Sequence, residues 1–283
     1  MITKSKKSKL IDIKLKNQIS CKCSLGEGLL VSNSFNSWVD INNDNLFIYK
    51  DSKAKKINLN SKPSVCLDVK KNIITLGCDK GLSQYDLDTC LETVISNKFD
   101  HDISLYRSND GCSMNDDFIL GFMHRERPEK YKGYIYYISN SCWHLIDSTI
   151  SIPNGFIEID QRKILISDSL SGEIWLFEFE INGTLKSKKL WAKIEGSIAP
   201  DGGCIVEEMI LISLWDNSSI GVFKKNGELI EILDIPVLRP TNCKFLKNKS
   251  ELWVTSAMEG LSKSHKRAYP SSGDTLVFDI NIK

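Results

Sequence analysis

This sequence lacks long apolar runs, a strong net charge and more than a few histidines. No apolar stretch in its 283 residues approaches the roughly 20 residues that span a bilayer. Its 37 basic and 36 acidic residues leave a formal net charge of +1, so the whole chain carries no field that would favour nucleic acid. We therefore predict that neither a membrane nor a nucleic acid is a partner.

The basic start of the chain also lacks the features of a secretion signal. MITKSKKSKL is followed by neither an apolar segment nor a small-residue cleavage site. We therefore predict that residues 1–8 are a mobile basic tail.

The nine cysteines form no recognisable pattern. Their odd number and irregular spacing argue against a disulfide framework. Cys21 and Cys23 form the one close pair, and no second pair completes a zinc site. Covalent catalysis is also disfavoured, because the G-x-S-x-G motif is absent and no histidine is placed near Cys112 or Cys204 in the sequence. We predict free thiols in a reducing cytoplasm.

What the chain does contain is a repeat. Six short apolar runs recur about 40 residues apart, and each is followed by a second run with aromatic alternation. Period-two alternation, β-branched residues and intervening turn residues are typical of strands. The six first runs are NSWVDI (36–41), NIITLGC (72–78), DFILGFM (117–123), KILISDS (163–169), MILISLW (209–215) and ELWVTSA (251–257).

The fourth unit shows four strands in full, namely NGFIEI (154–159), KILISDS, EIWLFEFE (173–180) and KKLWAKI (188–194). Six units of four antiparallel strands are typical of an all-β, six-bladed β-propeller. The sixth unit has only three strands, and KLIDIKLK (9–16) alternates as a strand would. We predict that this N-terminal strand closes the ring and that residues 1–283 form a single propeller domain.

One polar residue recurs at the same position of the repeat, about eight or nine residues before each apolar run. In a propeller the first strand of each blade lies innermost, so these residues would converge at one mouth of the central channel. Their oxygens suit hard cations such as calcium or magnesium, and none of the four histidines occupies this position. The residues are Glu27, Asn109, Asn154, Asp201 and Asn242, with Ser64 in the second blade.

The same residues allow a plainer interpretation. Glu27-Gly28, Asn154-Gly155 and Asp201-Gly202 are also common turn dipeptides. Asn242 could simply bond to the backbone. Their recurrence at one position of the repeat favours a shared site over independent turns.

Short motifs follow one another in order between about residues 20 and 280. They are SLGEG (24–28) before SWVDI (37–41), RSNDG (107–111) before GFM (121–123), PNG (153–155), APDG (199–202) before LW (214–215), RPT (239–241) and TSA (255–257). In this order they resemble the regucalcin, gluconolactonase and luciferin-regenerating enzyme family of sugar lactonase propellers.

The resemblance implies a six-bladed propeller that binds one divalent metal in its channel and hydrolyses a sugar lactone such as gluconolactone. It places the metal ligands on Glu27, Asn154 and Asp201, with Asp201 as general base. Calcium is the first expectation for the metal, with zinc, manganese and magnesium as alternatives. The partner would be a small sugar lactone, and the protein a monomer or weak homo-oligomer.

The resemblance places the substrate contacts on Arg107, Asn109 and Glu126, with Asp110 beside them. A guanidinium offers a planar fork of donors for ring hydroxyls, and a carboxamide both donates and accepts. Glu126 lies in the charged segment 124–129, which fits either a solvated loop or a lid over the channel.

Two other functions remain open at this point. A non-enzymatic protein that binds a divalent metal such as calcium, or a regulatory protein, would have the same fold and ligands. A WD-type scaffold would need a W-D signature in each blade, and Trp215-Asp216 occurs only once.

Overall fold

The computed structural model describes residues 9–32, 34–246 and 250–283. These residues form six four-stranded antiparallel sheets arranged as a six-bladed propeller, which confirms the predicted fold. The predicted tail, residues 1–8, lies outside the described residues.

The first three complete blades follow the chain after β1 (Ile11–Ile19). Blade one is β2 (Gly26–Val31), β3 (Asn36–Asp40), β4 (Asn45–Lys50) and β5 (Lys53–Asn58). Blade two is β6 (Pro63–Lys70), β7 (Ile73–Cys78), β8 (Gly81–Asp86) and β9 (Leu91–Ser96). Blade three is β10 (Tyr106–Met114), β11 (Asp117–His124), β12 (Tyr134–Ser139) and β13 (Cys142–Asp147).

The remaining blades repeat the order. Blade four is β14 (Pro153–Asp160), β15 (Lys163–Asp168), β16 (Glu173–Phe179) and β17 (Leu185–Lys193). Blade five is β18 (Ala199–Val206), β19 (Met209–Trp215), β20 (Ser219–Lys224) and β21 (Leu229–Asp234). Blade six is β22 (Pro240–Phe245), β23 (Glu251–Ser256), β24 (Thr275–Ile282) and β1, in that spatial order.

The ring closes through β1, as the sequence predicted. It pairs antiparallel with β24 from Ile11↔Ile282 to Ile19↔Thr275. The first and last strands of the chain therefore share one blade, and closing the ring covers a sheet edge that would otherwise offer unpaired backbone groups.

Among the described residues, helical structure is confined to two short connections. A 3-10 turn spans Ile41–Asn43, and α1 (Lys263–Ala268) lies between β23 and β24. Ser262 caps α1 by accepting the His265 N–H at 3.1 Å. Among the residues described, no helix is long and apolar enough to cross a bilayer.

The core consists of six apolar clusters, one between each pair of neighbouring blades. Leu211 of blade five meets Val254 of blade six, and Met114 of blade three meets Ile164 of blade four. Each fully buried aliphatic side chain contributes roughly 1.5–3 kcal/mol. The alternating apolar residues of the sequence thus join the blades and fix the inner strands around the channel.

All six inner strands carry an irregularity at the position of the recurring polar residue. The register shifts between Glu27 and Leu30 in β2, between Asn154 and Ile157 in β14, and between Pro200 and Gly203 in β18. The inner strands of the other three blades shift at the equivalent point. A bulge re-aims the side chains of the residues within it. The polar residues therefore owe their direction to these bulges.

Two of the following glycines are required by the backbone. Gly28 and Gly155 both have φ of 59°, a conformation that strains other residues. A Cβ at Gly28 would lie 2.4 Å from the Val65 Cα, and one at Gly155 would lie 2.5 Å from the Asp201 carbonyl oxygen. Glu27-Gly28 and Asn154-Gly155 are therefore bulged strand segments against the next blade, not turns.

Buried aspartates fix the segments that enter the inner strands. Asp168 accepts the N–H groups of Ser151 at 3.0 Å and Ile152 at 3.1 Å, just before Asn154. Asp40 does the same for the two residues that precede β2, Ser24 and Leu25, both at 3.0 Å. These bonds hold the backbone that presents the candidate site.

Candidate functional site

The structure brings the three predicted metal ligands together in the channel. Glu27, Asn154 and Asp201 are buried, with 6%, 6% and 4% of their surfaces exposed. The Asn154 amide Nδ2 donates to Asp201 Oδ1 at 2.7 Å. The carboxyl of Glu27 lies close enough to that of Asp201 for the Asp201 charge to raise the pKa of Glu27. Residues from blades one, four and five thus meet at one point.

Backbone groups of the bulges orient the same three side chains. Glu27 Oε2 accepts the Gly28 N–H at 3.2 Å, Asn154 Oδ1 accepts the Gly155 N–H at 2.9 Å, and Asp201 Oδ1 accepts the Gly202 N–H at 2.9 Å. Each side chain is therefore fixed by the residue that follows it, which restricts its rotamer before any ligand binds.

The acids at this point are protonated more readily than free carboxyls. Burial, followed by the charge of Asp110, raises the pKa of Asp201 to about 8, although the hydrogen bonds from the Gly202 N–H and the Asn154 amide lower it. Burial raises the pKa of Glu27 well above its ordinary value, and the charges of Asp201 and Asp110 add to this. Burial also raises the pKa of Asp110 itself. Three buried acids close together favour a cation or shared protons.

The donor set fits a divalent metal ion. The two carboxyls and one carboxamide are hard oxygen donors of the kind that calcium and magnesium prefer. Within the described ranges no three His, Cys, Asp or Glu side chains form a metal-binding group. The raised pKa values of Glu27 and Asp201 mark this point as one where a cation could replace a proton.

Two of the predicted substrate contacts also lie together. Arg107, which is half-buried, donates from Nη1 to Asn109 Oδ1 at 2.8 Å and to the Ser108 carbonyl at 2.9 Å. Asn109 Nδ2 in turn donates to the Pro153 carbonyl at 2.9 Å, next to Asn154. Burial lowers the pKa of Arg107, while Asp79, Glu259 and Glu27 oppose this. The pair is therefore linked to the candidate metal ligands through blade four.

Asp110 lies in the channel itself. It is 4% exposed and accepts the Phe156 N–H at 3.3 Å. It lines a cavity of about 150 Å³ whose charged lining residues are Asp110, Glu158 and Lys244. The sequence predicted Asp110 beside the substrate contacts, and in the structure its side chain lines this cavity.

Glu126 is not brought to the other predicted residues in this conformation. Its side chain is exposed and has no hydrogen bond or ion pair within the described part of the chain, while its backbone N–H donates to His124 Nδ1 at 3.3 Å. Packing fixes the start of this loop, because the buried His124 ring stacks on Tyr131 with ring centroids 4.7 Å apart.

Ser64 and Asn242, the remaining two members of the polar series, behave differently. Ser64 Oγ donates to the Gly77 carbonyl at 3.4 Å, a structural contact. Asn242 is 4% exposed, and its Oδ1 has no hydrogen-bond partner in the described ranges. A bond to the backbone was one alternative for Asn242; its carboxamide packs against Gly202, where an added Cβ would lie 2.4 Å from Asn242 Cγ.

Sequence reasoning missed the supports around Arg107 and Asp201. Asp79 Oδ1 accepts the Ser108 N–H at 3.0 Å, and its other oxygen pairs with Arg125. Lys244 donates to the Gly203 carbonyl at 2.7 Å, two residues after Asp201. The available signal was position, since Asp79 follows the apolar run of blade two and Lys244 follows Asn242 by two residues.

Residues 25–258 match the model of the family described as SMP-30/Gluconolactonase/LRE-like region. The chain belongs to this family. Its relatives include a protein named as a sugar lactone lactonase from Rhizobium meliloti, 27% identical over 62% of each chain. Regucalcin of Xenopus laevis is also 27% identical, over 62% of this chain and 63% of its own. The matched regions therefore span less than two thirds of these relatives.

Solved structures of the SMP-30/gluconolactonase/LRE-like family share the fold over nearly the whole chain. A calcium-binding regucalcin from Agrobacterium tumefaciens superposes with a TM-score of 0.85 at 22% identity, covering 95% of this chain and 94% of its own. A gluconolactonase from Xanthomonas campestris superposes with a TM-score of 0.71 at 15% identity, covering 92% and 87%. At these identities the likeness concerns the propeller alone.

Proposed function

We propose that this chain hydrolyses a sugar lactone, such as gluconolactone, to the open-chain sugar acid with one divalent metal ion, most naturally calcium. The observation that carries the proposal is the meeting of Glu27, Asn154 and Asp201 at one buried point of the channel. Family membership supports the reaction class, and so does the relative named as a sugar lactone lactonase. The nine free thiols support a reducing, cytoplasmic setting.

The proposed metal ligands are Glu27, Asn154 and Asp201. When bound, the ion would supply Lewis-acid polarisation of the lactone carbonyl. Glu27 and Asp201 balance its charge, and Asn154 adds a neutral oxygen. The Gly28, Gly155 and Gly202 N–H groups hold these side chains in place.

Asp201 is the proposed general base. A base must lie within hydrogen-bond reach of the proton that it takes, and Asp201 sits at the meeting point with one oxygen held by Asn154 and Gly202. A lactone is a cyclic ester that already hydrolyses in water, so a modest base suffices. Asp201 accepts the proton of the attacking water.

Arg107 and Asn109 are the proposed contacts to the sugar ring. Arg107 Nη1 already donates hydrogen bonds to Asn109 and Ser108. The donors on Nη2 and Nε are therefore left for ring hydroxyls. Asn109 fixes the guanidinium relative to blade four through the Pro153 carbonyl. Glu126 is proposed as an acceptor for an outer hydroxyl, and Asp110 lies beside this group.

The test is a panel of five- and six-membered aldonolactones with chelator-treated protein reloaded with calcium, magnesium, manganese or zinc. Proton release, corrected for spontaneous hydrolysis, should be absent after chelation and restored by at least one metal. Asp160→Asn serves as a control, since Asp160 is an exposed carboxylate of the same inner strand as Asn154. No turnover with any metal on any lactone would contradict the proposal.

A second candidate is a calcium-binding protein without catalysis. The observation that favours it is the fold shared with a regucalcin described as calcium-binding. Calcium would then raise the melting temperature without lactone turnover. The same metal-reloaded samples separate the two functions.

A further inference from the structure

The channel contains two acids besides the candidate metal ligands Glu27 and Asp201, which would balance one divalent ion. Asp110, which is buried, and Glu158, which is exposed, line the cavity of about 150 Å³ together with Gly203 of the Asp201 bulge. A buried carboxylate without a nearby cation is costly, so the charge of Asp110 in particular needs compensation.

Lys244 is the cationic residue that lines this cavity among the described residues. It lies on the inner strand of blade six and is half-buried. Burial raises the pKa of both Asp110 and Glu158, and the Lys244 charge opposes that rise in each. Within the described ranges the ammonium forms no direct ion pair with either acid, so it acts on both across the cavity.

The ammonium is also fixed in place. Its Nζ donates to the Gly203 carbonyl at 2.7 Å. Gly203 closes the bulge that contains Asp201, and the Gly202 N–H of that bulge donates to Asp201 Oδ1 at 2.9 Å. The ammonium held at this carbonyl therefore lines the cavity and also stabilises the backbone that carries Asp201.

We propose that Lys244 is a built-in counter-cation that takes the place of a second metal ion in the cavity lined by Asp110 and Glu158, and that it positions the Asp201 bulge through Gly203. This inference rests on the proposed metal site but not on lactone hydrolysis. Asn242, whose buried Oδ1 lacks a partner in the described ranges, lines the same cavity and adds an oxygen to Asp110 and Glu158. These three oxygen donors would accept a cation once the ammonium is removed.

The test is calcium titration calorimetry on the chelator-treated full chain. The wild type should bind one equivalent and Lys244→Met two, because the variant keeps the side-chain length and loses the charge. Lys244→Arg should bind one, because the charge is retained. Lys56→Met, which removes an exposed lysine of β5, should bind one as the matched control.

A double variant separates charge from packing. Lys244→Met with Glu158→Gln removes one acid together with the ammonium, and it should return to one equivalent. A single equivalent in Lys244→Met, with affinity within about twofold of the wild type, would overturn the inference and leave the proposed function intact. Two equivalents in the wild type would also overturn it. A wild type that binds no divalent ion would instead contradict the metal site itself.

Should Lys244→Met melt too low for titration, its melting temperature is followed against calcium concentration. A rise that continues beyond the saturation point of the wild type supports a second site. A curve that saturates with the wild type contradicts it.

Discussion

Asp201→Asn should remove lactone turnover almost completely while making the metal-free fold more stable at alkaline pH. The change takes away both a charged ligand and the proposed base. Loss of a general base alone costs roughly 10²–10⁴-fold in rate. Loss of a residue that only supports a metal ligand costs about 10–100-fold in affinity, so loss of the ligand itself should cost at least that much. Initial rates on gluconolactone and calcium titration measure the two effects.

The stability effect has the opposite sign. Burial and the Asp110 charge raise the pKa of Asp201 to about 8, so above that pH the metal-free fold carries a buried charge that Asn does not. At pH 9 and without metal, Asp201→Asn should therefore have a higher melting temperature than the wild type. The control Asp160→Asn should match the wild type in every assay. A variant that unfolds, or one that retains turnover, would contradict the assigned role.

Calcium affinity should rise with pH up to about 8. Burial and then the Asp110 charge raise the pKa of Asp201 to about 8, and burial followed by the neighbouring acids raises the pKa of Glu27 well above its ordinary value. Asp201 is therefore mostly protonated in the metal-free protein at neutral pH, and a metal must displace that proton. Each displaced proton makes the apparent dissociation constant fall about tenfold per pH unit.

The sign for stability follows from the same values. A carboxyl whose pKa is higher in the folded than in the unfolded protein stabilises the fold at low pH, and that contribution is lost as pH rises through the folded value. For Asp201 this window runs from the ordinary value of 3.8 to about 8. Melting temperatures of chelated protein should fall across it, and saturating calcium should reduce the fall.

Calorimetry in two buffers with different ionisation enthalpies counts the released protons directly. Asp201→Asn binds calcium more weakly, so high calcium is needed, and its proton release should be smaller by one. An affinity that does not change with pH would show that the acids are not displaced by the metal.

The repeat was predictable because its signals are local. Alternation in runs such as KILISDS follows from the two faces of a strand, and KLIDIKLK was recognisable as the missing strand because the sixth unit lacked one. Glu27, Asn154 and Asp201 belong to the polar series that could be selected by position, since one blade geometry repeats around the axis, but position did not separate them from Asn109 and Asn242. Their roles came from family resemblance and stay predictions.

The parts that could not be predicted depend on contacts between blades. The bulges can be recognised only from the register in which the strands pair. Gly28 and Gly155 fit a turn equally well until the contacts with the next blade are known. Lys244 looks like any solvated lysine in the sequence, because its partner Gly203 belongs to another blade. The packing of His124 on Tyr131 lies within blade three, and it too depends on the folded loop in which Glu126 is exposed.

The most direct test of the central claim is the position of the metal. Anomalous diffraction from crystals grown with manganese in place of calcium should show one strong peak in the channel. The peak should lie about 2.0–2.6 Å from oxygens of Glu27, Asn154 and Asp201. A peak elsewhere, for example between Asp110 and Glu158, or no peak at saturating manganese, would contradict the account.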